Sequence, residues 1–216
     1  MRKLLLMALV SLTLFSCSKN DKTDSGDNPR IVLIPGFGNS GGEIPGTAFS
    51  LPSGIQLQGS ITGESMSPVC TTLGFGSLVD VYLELKNTTA AEIKVTFPAG
   101  LTLYAASASD QNGFVAQNYD VTIAAGAVCI VKLNAYCINS SRSGSSSSSR
   151  YTWGPVCNAP AIVYFLKLLK DKDLSKDEDS QVQPSLWMIS DTETDPVSSK
   201  QIWDIVRENI AAIPNR

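Results

Sequence analysis

The sequence predicts a mainly β fold with some helix, namely an antiparallel β-sandwich over residues 51–140 and a small helical part over residues 158–216 packed on it. The segment "VDVYLELKN" alternates apolar and polar residues, which indicates a half-buried strand. Similar short segments recur between glycine turns, a spacing typical of sandwiches. Beyond residue 158 the apolar residues recur three and four positions apart, as in amphipathic helices. A chain of 216 residues is long enough for one such domain.

Residues 1–16 have the organisation of a lipoprotein signal peptide. Arg2 and Lys3 precede an apolar run that is too short to span a bilayer as a helix. The run ends in "LFSC", which resembles the lipobox of exported bacterial lipoproteins, in particular those of the Bacteroidetes. The resemblance implies a lipid on Cys17, a membrane contact through that lipid, and a place in the bacterial cell envelope as an outer-membrane lipoprotein, periplasmic or surface-exposed.

Residues 17–50 are predicted to form a flexible linker behind the lipid, because they are polar at first and then rich in glycine and proline. Within them, "GNSGG" at residues 38–42 matches the G-x-S-x-G pattern around the nucleophile of serine hydrolases. Histidine usually supplies the general base in these enzymes, and the chain has none. The residues after Ser40 also cannot open the required helix. We therefore expect a loop here and no enzymatic activity.

Local patterns define the elements that follow. "VTFPAG" at residues 95–100 and "VTIAAG" at residues 121–126 each indicate a strand that ends in a glycine turn. Residues 141–157 begin with "SRSGSSSSSR" and are predicted to form a serine-rich loop, because serines offer little surface to pack. In "SSKQIWDIVRENIAAI", Ser198 and Gln201 form a capping box, which predicts the start of the last helix.

The charge and cysteine patterns argue against several classes of partner. The net charge is −3 and only 17% of the residues are charged, so we expect no nucleic-acid partner. The five cysteines include no C-x-x-C pair, and no histidine could complete a zinc site. We therefore expect neither a metal nor another cofactor.

Four cysteines remain once Cys17 is assigned to the lipid, and an exported protein lies in an oxidising environment. The candidates for two disulfides are Cys70, Cys129, Cys137 and Cys157. Three connectivities are open for four cysteines. In an uninterrupted strand Cys129 and Cys137 would lie about 26 Å apart, too far to pair with each other. A Cys137–Cys157 disulfide across the serine-rich loop is the easiest closure.

Two short motifs suggest a different role for one of these cysteines. "YCIN" at residues 136–139 and "VQPSLW" at residues 182–187 resemble the paired motifs of bacterial thioester domains. The resemblance implies that Cys137 supplies a thiol and Gln183 an acyl group, which condense with loss of ammonia into an internal thioester. An amine on a host molecule would then attack this bond and become covalently attached. Tyr136 and Trp187 would frame the thioester and keep water away from it.

The sequence leaves three functions open. The first is a lipid-anchored, non-catalytic binding or adhesion module of the envelope or cell surface, with a host molecule or a glycan as its ligand. A cleft lined by Tyr151, Trp153 and Trp187 would favour a glycan, because aromatic rings stack on sugars. The second is the thioester adhesin, which would bind host amines covalently. The third is a structural or accessory lipoprotein of an envelope or glycan-uptake assembly.

Overall fold

The computed structural model describes residues 28–65, 67–178 and 180–216. The predicted signal peptide over residues 1–16 and the predicted lipidation site Cys17 lie outside these residues. The described chain is mainly β and ends in three helices, so the predicted order of a β part and a helical part is confirmed. None of the helices within the described residues is long and apolar enough to cross a membrane.

The described residues form eleven strands and three α-helices. The strands are β1 (Gly46–Thr47), β2 (Ile55–Leu57), β3 (Ile61–Thr62), β4 (Thr71–Leu73), β5 (Val79–Asn87), β6 (Ile93–Phe97), β7 (Leu101–Ala105), β8 (Gly113–Phe114), β9 (Tyr119–Ile123), β10 (Val128–Cys137) and β11 (Arg150–Cys157). The helices are α1 (Pro160–Leu169), α2 (Val182–Ser190) and α3 (Pro196–Ala212), with a short 3₁₀ turn at Leu174–Lys176 between α1 and α2.

Six strands close into an antiparallel barrel, so the sandwich expected from the sequence is wrong. The ring runs β5, β10, β8, β7, β11 and β3, and β3 pairs again with β5. Each of the two-residue strands β3 and β8 pairs with both of its neighbours, which removes the open edges that a sandwich would have. Outside the ring, β2 extends β5, β4 runs parallel to β10, and β1 pairs with β11. Strands β6 and β9 form a separate two-stranded sheet.

Two hydrophobic cores result from the alternation along the strands. One core lies inside the barrel and contains Val79, Val81 and Leu83, whose side chains are all fully buried. The other lies between the outer face of the barrel and the helices, and contains Phe165 of α1 and Trp203 of α3. The helical part therefore packs on the β part, as the apolar stripes of its helices predict.

The linker predicted over residues 17–50 does not extend as far as residue 50. Ile31, Phe37 and Ile44 are buried in the core beneath the helices. The indole N–H of Trp203 also donates a hydrogen bond of 2.7 Å to the carbonyl of Pro29. The prediction gave more weight to glycine and proline than to the apolar residues between them, and burial of those residues fixes residues 29–44 on the folded domain.

The serine-rich loop predicted over residues 141–157 ends at Ser149, because residues 150–157 form the barrel strand β11. The serines are also fixed by hydrogen bonds. The backbone N–H of Ser145 donates to the carbonyl of Leu78 at 2.9 Å, and the Ser149 hydroxyl donates to Asp110 at 2.7 Å. The polar composition predicts a solvated loop, but these polar groups form hydrogen bonds to neighbouring backbone and to one carboxylate.

Within the described residues one disulfide is formed, Cys70–Cys129, with a Cα–Cα distance of 5.7 Å. Cys70 precedes β4, whose parallel pairing with β10 brings it beside Cys129. Cys137 and Cys157 are free and buried, so the expected Cys137–Cys157 disulfide is wrong. The reason is that Cys137 lies in the core inside the barrel, whereas Cys157 lies in the core beneath the helices, on the other face of the sheet.

Candidate functional site

The fold brings Cys137 and Gln183 into direct contact across 46 residues of sequence. Cys137 is the last residue of β10, and Gln183 lies in the first turn of α2. The backbone N–H of Cys137 donates to Gln183 Oε1 at 2.8 Å. Gln183 Nε2 donates in return to the carbonyl of Cys137, also at 2.8 Å. Both polar atoms of the carboxamide are thus bound by the backbone of one residue.

This pairing occurs where the barrel ladder stops. Strand β5 begins at Val79, which lies opposite Ala135 of β10, so β5 offers no partner to Cys137. On the other edge, β8 pairs with β10 up to Cys137, and the N–H of Ile138 donates to the carbonyl of Asn112. Successive residues of a strand direct their backbone N–H and C=O groups to opposite edges. Because those of Ile138 face β8, those of Cys137 face the other edge, where β5 has already ended. The Gln183 carboxamide satisfies them there.

The sulfur of Cys137 lies in a dry environment with N–H groups beside it. The side chain is fully buried, and the backbone N–H of Asn139 donates to Sγ at 3.2 Å. Burial raises the pKa of the Cys137 thiol to about 11. The N–H groups of Asn139 and of the Trp187 indole lower the pKa of this thiol, but their effect is weaker than that of burial. The free thiol is therefore neutral near pH 7.

Of the two residues predicted to frame this site, Trp187 lies next to it and Tyr136 does not face it. Trp187 packs against the core inside the barrel, which also contains Cys137. Tyr136 precedes Cys137 in the same strand, so its side chain points to the opposite face, into the core beneath the helices. Tyr136 therefore packs on the face of β10 that lies opposite the sulfur, and residues of α2 pack on the side of the sulfur.

The "GNSGG" segment forms a loop that binds the chain just after Cys137. The N–H of Gly38 donates to the carbonyl of Ile138 at 2.7 Å, and the Asn139 side chain donates to the carbonyl of Gly38 at 2.7 Å. Gly38 has a φ of +55°, and a Cβ there would lie 3.0 Å from the Cα of Asp191. The Ser40 hydroxyl donates to the carbonyl of Gly41 at 3.4 Å, and among the described residues no basic side chain is hydrogen-bonded to it.

The rim of the site carries one carboxylate, that of Asp191 directly after α2. Its oxygens accept hydrogen bonds from the hydroxyls of Ser140 and Ser190. Within the described residues no lysine or arginine forms an ion pair with it. Sequence patterns did not indicate Asp191, and the motifs that contain Asn139 and Gly38 did not indicate their contact with each other, because these roles arise only through contacts between distant segments.

The three aromatic residues predicted to line one cleft all lie in or against the core inside the barrel, but the cleft that Trp153 borders includes neither Tyr151 nor Trp187. Tyr151 is buried inside the barrel, and Trp187 lies beside Cys137. Trp153 borders a cleft of about 440 Å³ together with Phe49 and Tyr104. Its ring already packs on Phe49 and Phe97, with centroid distances of 4.9 and 6.1 Å. Part of the Trp153 ring is therefore already covered by other aromatic rings.

Neither metal binding nor similarity to other proteins assigns a role to the chain. Among the described residues, no group of three or more cysteine, aspartate or glutamate side chains is arranged to hold a metal ion. No family model, no curated protein and no solved structure matches the chain. The function is therefore argued from the chemistry of the Cys137–Gln183 site, because a fold alone does not determine it.

Proposed function

We propose that the protein is an adhesin that forms an internal thioester between Cys137 and Gln183 and uses it to bind an amine of a host molecule covalently. The observation that carries this proposal is the pair of hydrogen bonds between the Gln183 carboxamide and the backbone of Cys137, both 2.8 Å long. They hold the acyl group against the residue that bears the thiol. A covalent adhesin of this kind belongs to the broader class of binding modules.

The contacts suit formation of the bond. Cys137 Sγ attacks the carboxamide carbon of Gln183, a C–S bond forms, and the C–N bond breaks. The thiol proton moves to the departing nitrogen, which leaves as ammonia. The N–H of Cys137 already donates to Oε1, where negative charge develops during the attack. Holding the two groups together also replaces a bimolecular encounter, which can lower the barrier by several kcal/mol.

Burial suits survival of the bond. Cys137 is fully buried, and Gln183 is 8% exposed. Water therefore has little access to the acyl carbon, and hydrolysis is slow where water is excluded. The slight exposure of Gln183, together with the polar rim at Asp191, marks the direction from which a host amine would approach.

A lipid on Cys17 would complete the adhesin, and this anchor is also a proposal. The described chain begins at residue 28, and residues 29–44 lie against α3 and the chain after Cys137. The lipid on Cys17 would then be joined to the region around the Cys137–Gln183 bond by the short stretch of chain that precedes residue 29. A Cys17→Ser variant should not incorporate labelled fatty acid, and equal incorporation by the variant and the parent would contradict the anchor.

Mass and thiol count together test the thioester. The chain with Cys17→Ser retains four cysteines, of which Cys70 and Cys129 form the disulfide. Unfolded without reductant, it should expose one thiol if the thioester is present and two if it is absent. Its intact mass should also be lower by one ammonia. Methylamine should then add its own mass and release the second thiol.

Two buried free cysteines provide a matched control. Cys157→Ala should retain the mass deficit and the reaction with methylamine, because Cys157 lies in the other core. Cys137→Ala and Gln183→Ala should each abolish both. A parent chain with two free thiols and no mass deficit would contradict the thioester, and non-covalent binding would then be the remaining form of adhesion.

A further inference from the structure

Besides the carboxamide of Gln183 itself, three N–H groups lie around the Cys137–Gln183 site, and two of these three have ordinary acceptors. The N–H of Cys137 donates to Gln183 Oε1, and the N–H of Asn139 donates to Cys137 Sγ. The third belongs to the indole of Trp187. Its Nε1 is buried, and no acceptor meets ordinary hydrogen-bond geometry. A buried donor without an acceptor is costly and requires an explanation.

The position of Trp187 on α2 directs its indole towards the core that contains the sulfur of Cys137. Trp187 follows Gln183 by four residues, one turn of the helix, so the two side chains lie on the same face. Trp187 packs against the barrel core that contains Cys137. Val182, Leu186 and Ile189 instead fill the core beneath the helices. Helix α2 thus presents an acyl group and an N–H donor to one thiol.

The chemistry of amine capture needs a donor at that sulfur. The amine nitrogen forms a C–N bond with the acyl carbon of Gln183, the C–S bond breaks, and its electron pair stays on sulfur. The nitrogen loses one proton and the thiolate gains one, so an amide and a thiol result. Negative charge on sulfur is larger during bond breaking than in the thioester, and a donor there lowers the barrier. An indole can only donate, which fits this role and excludes that of a base.

We propose that Trp187, through its indole N–H, stabilises the sulfur of Cys137 as it departs from the Gln183 acyl carbon. This inference rests on the proposed thioester and assigns Trp187 a positioning role beyond shielding. In the free thiol the same group already acts on sulfur, because the indole lowers the pKa of Cys137 against the effect of burial.

The first test compares rates of methylamine capture per thioester-containing molecule in the Cys17→Ser chain. Trp187→Phe keeps an aromatic ring and removes the N–H, and we expect capture to slow by about tenfold, the effect of one hydrogen bond to a charged group. Trp153→Phe makes the same change away from the site and should leave the rate unaltered. Replacement of Trp187 by benzothienylalanine preserves the shape of the indole without the N–H, and should slow capture as Trp187→Phe does.

The second test measures the thiol directly and does not need the thioester. In a chain carrying Cys17→Ser, Cys157→Ala and Gln183→Ala, the remaining S–H group is that of Cys137. Its Raman S–H band, followed as the pH is raised, gives the pKa of the thiol. Adding Trp187→Phe should raise that pKa. An unchanged pKa would show that any slower capture comes from altered packing, and would overturn the inference.

The outcomes separate the two proposals. If the parent shows no thioester and captures no amine, the proposed function fails and the role of Trp187 fails with it. If the parent captures methylamine and both Trp187 variants capture it at the parent rate, the thioester stands and only the role of Trp187 is overturned. Slower capture in both variants together with a raised thiol pKa supports both proposals.

Discussion

Reduction of the Cys70–Cys129 disulfide should remove a large part of the stability of the domain. The disulfide joins residues 59 positions apart, and it restricts the unfolded chain accordingly. For a closed loop of this length the chain-entropy relation gives about 4 kcal/mol at 25 °C. Domains of this size are stable by about 5–15 kcal/mol in total, so the loss is large enough to measure.

The native structure should change little when the disulfide is broken. Strand β4, which follows Cys70, keeps its parallel register with β10, from Thr71 opposite Val131 to Leu73 opposite Leu133. Cys70 is exposed, so it contributes little to the core, and Cys129 is 8% exposed and stays buried when the disulfide is reduced. Most of the packing inside the barrel is therefore retained. The effect therefore arises mainly in the unfolded state, and a reduced chain should remain folded under mild conditions.

Urea unfolding followed by tryptophan fluorescence, with and without a phosphine reductant, measures this effect. The variant with Cys70→Ser and Cys129→Ala should match the reduced parent and should not respond to reductant. Cys157→Ala serves as the control, because it removes a buried cysteine that forms no disulfide, and it should still lose about 4 kcal/mol on reduction. A loss below about 1 kcal/mol would refute the loop-closure argument for this protein.

Three further predictions concern a helix cap, a titrating thiol and the serine motif. Asp195→Ala should lower the free energy of unfolding more than Ser198→Ala, because Asp195 accepts from two backbone N–H groups of α3; chemical denaturation of both variants checks this. Where Cys137 is a free thiol, burial raises its pKa from 9.0 to about 11, so the stability that its neutral form confers is complete below pH about 9 and is lost as the pH rises towards 11. Denaturation against pH should show a shallower loss in Cys137→Ala, and an equal slope would contradict the shift. Ser40 should not react with a fluorophosphonate probe, and labelling that Ser40→Ala abolishes would contradict the predicted lack of serine-hydrolase activity.

Long alternating strands made the β character of the fold predictable, whereas the closure of the barrel was not. In β5 the buried residues Val79, Val81 and Leu83 alternate with polar ones, which is a strong period-two signal. The strands that close the ring, Ile61–Thr62 and Gly113–Phe114, are two residues long and carry no period. Their pairing depends on the curvature of the neighbouring strands, which local sequence does not encode.

The start of α3 shows a similar limit. The capping-box pattern predicted Ser198 as its N-cap, but the N-cap is Asp195 and the helix begins at Pro196. Proline is favoured in the first turn because its missing N–H is not needed there, and this preference decides between the two neighbouring caps. The sequence therefore located the helix correctly and displaced its N-cap by three residues.

The Cys137–Gln183 pair could be anticipated because two short motifs mark it, but its surroundings could not. The motifs identify a thiol and an acyl group, but they do not predict the distance between the two groups. That the carboxamide binds the backbone at the end of a barrel strand follows from where β5 begins, at Val79. The contact of Asn139 with Gly38 depends on the N-terminal segment crossing the same strand end. Such contacts arise from tertiary structure and leave no local pattern.

The docking of residues 29–44 also determines how the molecule would carry mechanical load. A tensile force applied at the N-terminal end of the described chain reaches the hydrogen bonds of Asn28 with Arg207 and of Pro29 with Trp203 first, and then the contact between Gly38 and Ile138. All of these contacts come before β3, the first strand of the closed ring along the chain. Tension would therefore be borne first by a few bonds that break in sequence, one of them next to Cys137, before the strands of the barrel separate. Single-molecule pulling from that end should show an early, low-force extension before the barrel unfolds.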